Sequence, residues 1–134
     1  MSFYKNIQIA LDTCLNGAGT GLDIAWENTD YTPTLGTAYL RPTLLMAKSS
    51  LMDLDDLQLN QGIYQVDIFY PLDKGAGELL TTLDTIYSAF KTDTTLVSGT
   101  TTVYIKEISR TREAIRDEAY YSARLEISFK CYEN

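Results

Sequence analysis

The segment from Tyr120 to Asn134, YYSARLEISFKCYEN, constrains this chain more than any other. Ala119, Tyr121, Ala123, Leu125, Ile127, Phe129 and Cys131 fall on one side when it is extended, and Tyr120, Ser122, Arg124, Glu126, Ser128, Lys130 and Tyr132 on the other. Alternation with period two over that distance specifies a half-buried β-strand, because successive side chains point to opposite faces. At 3.3 Å per residue such a strand spans roughly 45 Å, against a usual length of about 5–6 residues. It requires long partner strands and something apolar to cover one face. Its polar face carries Arg124, Glu126 and Lys130 in no arrangement that suggests catalysis.

The partners are legible upstream. In IYQVDIFYP, Tyr64, Val66, Ile68 and Tyr70 share a face, Gln65 and Asp67 share the other with Ile63 and Phe69, and Pro71 ends the strand. GTAYLRPTLLMA reads as a strand in which Pro42 removes a ladder donor, so it is an edge or is bulged there. LDIAWEN predicts a first strand, TTVYIKEISR a later one, and Thr95–Val97 a short one. Two segments switch to helical spacing. Phe3, Ile7, Ala10, Leu11 and Cys14 recur after a capping Ser2 and stop at Asn16-Gly17. Leu79, Leu80, Leu83, Ile86, Tyr87 and Phe90 form the apolar stripe of the second helix. KSSLMDLDDLQLNQG reads as a long hairpin excursion, and TREAIRDEA as a charged connection. Clustered strands with separated helices imply an α+β fold: a mainly antiparallel β-sheet packed by two α-helices, one domain over residues 1–134.

Composition excludes much chemistry. There are no histidines, which removes Ser-His dyads, histidine metal sites and the usual neutral-pH proton carrier. The two cysteines, Cys14 and Cys131, lie far apart in apolar stripes and read as buried thiols of a reducing compartment. They cannot form a zinc site of the CxxC type. NGAGTG follows a helix and lacks the Gly-Lys-Ser/Thr ending of a phosphate loop. DKGAGE reads as a tight turn with Glu78 favouring the helix dipole; the alternative is an anion held by Lys74 and the Gly75–Gly77 amides. Asp53, Asp55 and Asp56 are not followed by the glycine and distant glutamate of a calcium loop, so they read as a solvated acidic loop. Arg110, Arg112 and Arg116 alternate with Glu113, Asp117 and Glu118, as local solvated pairs or as pairs between subunits. No catalytic, cofactor or metal residue is assigned. A net charge of −7 disfavours sequence-independent nucleic-acid binding. No apolar run reaches the roughly 18 residues of a membrane span, and no leader peptide is read. Ten tyrosines suit strands and interfaces, since the ring buries while the hydroxyl stays wet.

IAWENTDYTP, YLRPTLLMA, QGIYQVDIFYP, the GAG that opens the helix ending LDTIYSAF, and the closing YYSARLEISFKCYEN together resemble the tail terminator proteins of long-tailed bacteriophages, the minor-tail-protein-U-like family, over about residues 3–132. The resemblance implies a non-enzymatic structural protein of the virion, assembled in the bacterial cytoplasm and placed at the head-proximal end of the tail. It implies a hexameric ring that caps the tail tube, ends its polymerisation and offers a joining surface to head-completion and connector proteins, with DNA passing its channel without specific binding. It carries over no catalytic residue, cofactor or membrane contact. The loop from Lys48 to Gln61, with Asp53, Asp55 and Asp56, and the stretch with Arg110, Arg112 and Arg116, are the expected contact regions, together with Lys130 at the end of the last strand. The alternatives are another head–tail joining component (a head-completion or tube protein) or a small anion- or nucleotide-binding enzyme.

Overall fold

In the computed structural model the described residues are 3–27, 29, 31–32, 36–47, 50–51, 58–71, 77–91, 94–116 and 120–133. They form helix α1 (Phe3–Asn16), strands β1 (Asp23–Ile24), β2 (Tyr39–Met46), β3 (Ser50–Leu51) and β4 (Gln58–Pro71), helix α2 (Gly77–Phe90), and strands β5 (Thr95–Ser98), β6 (Thr101–Arg116) and β7 (Tyr120–Glu133). The strands make one sheet in the order β1-β2-β4-β7-β6-β5, with β3 also on β4. Every pairing is antiparallel except β1 with β2. The α+β expectation therefore holds.

The terminal strand is as long as its alternation demands. All fourteen residues of β7 pair with β4, from Gln58↔Glu133 to Pro71↔Tyr120. Its apolar face is buried from Ala123 through Cys131, alongside Tyr64, Val66, Ile68 and Tyr70 of β4. Both helices pack on this one face. Asn6, Ile7, Ala10, Leu11 and Leu15 of α1 and Leu79, Thr82, Leu83, Ile86 and Phe90 of α2 are buried. Leu80, read from the sequence as part of the stripe, points outward instead. Thr82 takes its place because positions 79, 82, 83, 86 and 90 follow the 3.6 period, and its hydroxyl is satisfied by the Tyr70 hydroxyl. Cys131 is a buried thiol; the Cys14 thiol, partly buried, contacts the Ala89 carbonyl.

Several sequence boundaries are corrected. LDIAWEN contributes only the two residues of β1, and Ala25 rather than its alternating neighbours is the most buried. The expected excursion from Lys48 to Gln61 contains β3 and the first four residues of β4, because β7 is long enough to pair with them. The stretch containing Arg110, Arg112 and Arg116 is not a connection: β6 runs through Arg116, which pairs with Tyr121. Register shifts between Ile105 and Glu107, and between Thr111 and Ile115, let the charged run continue as a strand by accommodating extra residues.

Pro42 sits where its missing donor is harmless. The Ala25 amide donates to the Leu40 carbonyl and the Leu44 amide to the Glu27 carboxylate, so backbone groups at positions 40 and 44 point away from β4. By alternation position 42 does too, facing the outer edge. That edge is blunted by β1, by Pro42 and by Glu27. The opposite edge, β5, has no charged or proline residue between Thr95 and Ser98, and its Val97 is 65% exposed.

Candidate assembly interface

Neither helix covers the other face of the sheet. Register places Tyr39, Phe69 and Ser122 in one row across it, then Arg41, Asp67 and Arg124, then Thr43, Gln65 and Glu126, then Leu45, Ile63 and Ser128. Three zones result. At one end Tyr39 stacks on Phe69 at 4.7 Å between ring centroids, with Tyr31 at 5.2 Å and Tyr120 edge-on at 5.4 Å. In the centre Arg124 Nε donates to Asp67 Oδ1 at 2.7 Å, and this bond holds the guanidinium more firmly protonated. Arg41 lies 5.9 Å over the Tyr39 ring. At the far end Tyr104 and Tyr132 meet at 6.1 Å, Lys130 Nζ lies 5.7 Å from the Tyr132 ring, and Lys106 Nζ donates to Gln61 Oε1 at 2.7 Å.

That far end collects exposed apolar surface. Leu45 (48%), Val97 (65%), Tyr104 (39%) and Tyr132 (37%) all belong to it. Scattered exposed apolar residues are ordinary, but a contiguous group rimmed by charge marks an interaction surface. Tyrosine is enriched at such surfaces for the same reason it was noted in the sequence.

The sequence-derived contact residues are split by this geometry. Lys48, Asp53, Asp55 and Asp56 lie outside the described residues. So does most of the Lys74–Gly77 turn, of which only Gly77 is described, as the first residue of α2. Arg112 and Arg116 are strand residues of β6 by their backbones. Lys130 belongs to the uncovered face. Arg110 does not: it pairs with Leu125, on the helix side. There its Nη1 donates to Asp84 Oδ1 at 2.8 Å and its guanidinium lies 4.2 Å over the Tyr87 ring. Arg110 thus ties β6 to α2, and the thickness of the sheet separates it from Lys130.

The signal that would have placed Arg110 is the break in alternation in VYIKEI. Val103 and Ile105 are two apart, Ile108 three further on, and the register shift at Lys106 is the structural consequence. Since Asp84 is 71% exposed, the ion pair is screened and the ring contact contributes comparably. We expect Arg110→Ala to lower stability by only about 0.5–1 kcal/mol in urea unfolding. A loss several times larger would show that the strand depends on this tether.

Among the described residues, no group of three or more Cys, Asp or Glu side chains is placed to hold a metal ion. None of their helices is long and apolar enough to cross a membrane.

Sequence and structure comparisons agree with this arrangement. The family profile described as phage tail terminator protein matches residues 6–129. The chain belongs to the phage tail terminator protein family. It is therefore a structural protein of a phage tail. Two solved structures share its fold. One has 21% identity and a TM-score of 0.82, over 100% of this chain and 98% of its own. A chain from the virion of a native gene transfer agent particle has 14% identity and a TM-score of 0.66, over 98% of this chain and 96% of its own. No curated protein matches the sequence.

Proposed function

We propose that the protein forms a ring, six subunits in the form the family resemblance implies, that caps the completed tail tube, ends its polymerisation and presents the surface to which head-completion and connector proteins join. The observation that carries this reading is the family match over residues 6–129. The physical features support it. The sheet has unlike edges and unlike faces, as a heterologous contact that closes into a ring requires. A net charge of −7 suits a channel that DNA traverses without being retained. Its place is the head-proximal end of the tail, after assembly in the host cytoplasm, and residues 1–134 act as one tail-terminator domain. Lys48, Asp53, Asp55, Asp56, Arg112, Arg116 and Lys130 are proposed as contact residues of the assembled ring; Arg110 serves the fold first.

The test is assembly in the absence of the chain. Particles made without it are expected to show over-long tubes and unattached heads by electron microscopy. Purified protein added back should restore measured tail length and head joining. Tails of normal length bearing heads, made without the chain, overturn the proposal.

A further inference from the structure

We infer that the far end of the uncovered face is one half of the contact between neighbouring copies of this chain, and that the exposed side of α2 around Leu80 is the other half. This rests on the ring reading and names the two surfaces that would build the ring.

The first half consists of Leu45, Val97, Tyr104 and Tyr132 with Lys106 and Lys130. Register makes it continuous. Tyr104 opposes Lys130, Lys130 opposes Gln61, and Leu45 opposes Ile63 one row away. Thr95 opposes Tyr104, which brings β5 and its exposed Val97 to the same corner. Two cations flank this apolar surface, and Glu107 is the anion beside them. The corner is thus locally positive on a chain whose net charge is −7.

The second half has the opposite character. On α2, Leu80 is 46% exposed, two residues from the exposed Glu78 and four from the exposed Asp84. Arg110 engages only one oxygen of Asp84. An apolar knob between two carboxylates matches an apolar surface between two ammonium groups. Complementary potentials of this kind set orientation and partner choice. The two surfaces lie on opposite sides of the sheet, so copies joined this way are related head to tail. Such a contact propagates until it closes, whereas a self-complementary patch stops at a dimer. The second copy also supplies the charge: the exposed exterior of this acidic chain is a ready partner for its own rare positive corner.

Charge reversal with rescue tests this on the full chain. The double variant Lys106→Glu with Lys130→Glu, and separately Glu78→Lys, are each expected to raise the concentration needed for ring formation by about tenfold or more, read by native mass spectrometry and by capping of purified tubes. Circular dichroism melting of each variant checks that the fold persists. The triple variant carrying all three changes restores the opposite signs and is expected to recover most of the loss. Unimpaired rings from the double variant, or two impaired parents with no recovery in the triple, overturn the inference while leaving the ring reading intact. Normal rings that no longer cap tubes assign the corner to the tube protein and overturn it as well. If the unaltered chain makes no ring, alone or on tube ends, the ring reading itself fails.

Discussion

Gly62→Ala will destabilise the protein by about 2 kcal/mol, although alanine ordinarily stabilises a strand relative to glycine by about 0.5–1 kcal/mol. Gly62 lies inside the sheet, opposite Met46 of β2 and Phe129 of β7. A Cβ there would stand 2.5 Å from the Leu45 carbonyl oxygen and 2.9 Å from Cζ of the Phe129 ring. Both are closer than van der Waals contact, and one is backbone. The ring can turn only at the expense of a packed core, because Phe129 is buried. Phe129→Leu in the Gly62→Ala background should return only part of the loss, since trimming the ring leaves the carbonyl in place. Gly77→Ala, with no atom within 4 Å of its Cβ, should change stability by less than about 0.5 kcal/mol. Urea unfolding of the three variants decides the matter: a Gly62→Ala protein as stable as its parent means that β2 and β4 separate there without penalty.

Tyr64→Phe is expected to lower stability by about 1–2 kcal/mol at neutral pH, through one hydroxyl. Tyr64 is 1% exposed on β4, its ring tilted against Phe90 at 5.9 Å, and its hydroxyl donates to Asp12 of α1. Burial raises the Asp12 pKa above its ordinary 3.8; the Tyr64 bond opposes the shift, Glu27 adds to it, and a bond from Gln8 lessens it. Burial and the adjacent carboxylate likewise push the Tyr64 phenol up, so it stays a donor. The sign of the pH dependence follows. Between 3.8 and the raised value the folded chain binds more protons at Asp12 than the unfolded chain does, so this group's contribution falls as pH rises through that window and is level above it. Losing the donor removes what favours the charged form, so the penalty of Tyr64→Phe is largest above the window and shrinks below it. Asp12→Asn keeps an acceptor for Tyr64 and removes the charge, which flattens this slope. Unfolding free energies from about pH 3.5 to about pH 7 for both variants check this. A Tyr64→Phe penalty independent of pH would mean that the hydroxyl and the carboxylate are not coupled.

Both residues show the limits of reading along the chain. Tyr64 is assigned to the buried face by alternation with Val66, Ile68 and Tyr70, yet nothing near it in sequence points to Asp12, fifty-two residues away. Gly62 reads as the end of a loop, because a glycine after Gln58–Gln61 carries no strand signal; only pairing with a long β7 makes that stretch a strand. Leu80 reads as core by its hydrophobicity, whereas the helical period reserves the place for Thr82.

The sequence by itself determined the elements whose cause is local. Strand alternation in Tyr64–Tyr70 and Ala123–Cys131, the two helical stripes, the edge placement of Pro42 and the absence of histidine chemistry depend only on near neighbours and side-chain type. The tertiary structure decided where β6 ends, that the shift at Lys106 turns Arg110 toward α2 and leaves Lys130 on the uncovered face, and that Leu45, Val97, Tyr104 and Tyr132 share a corner. The reason is physical: a strand's period is set within the strand, but its length, its bulges and the company its side chains keep are set by the register of partners distant in the chain.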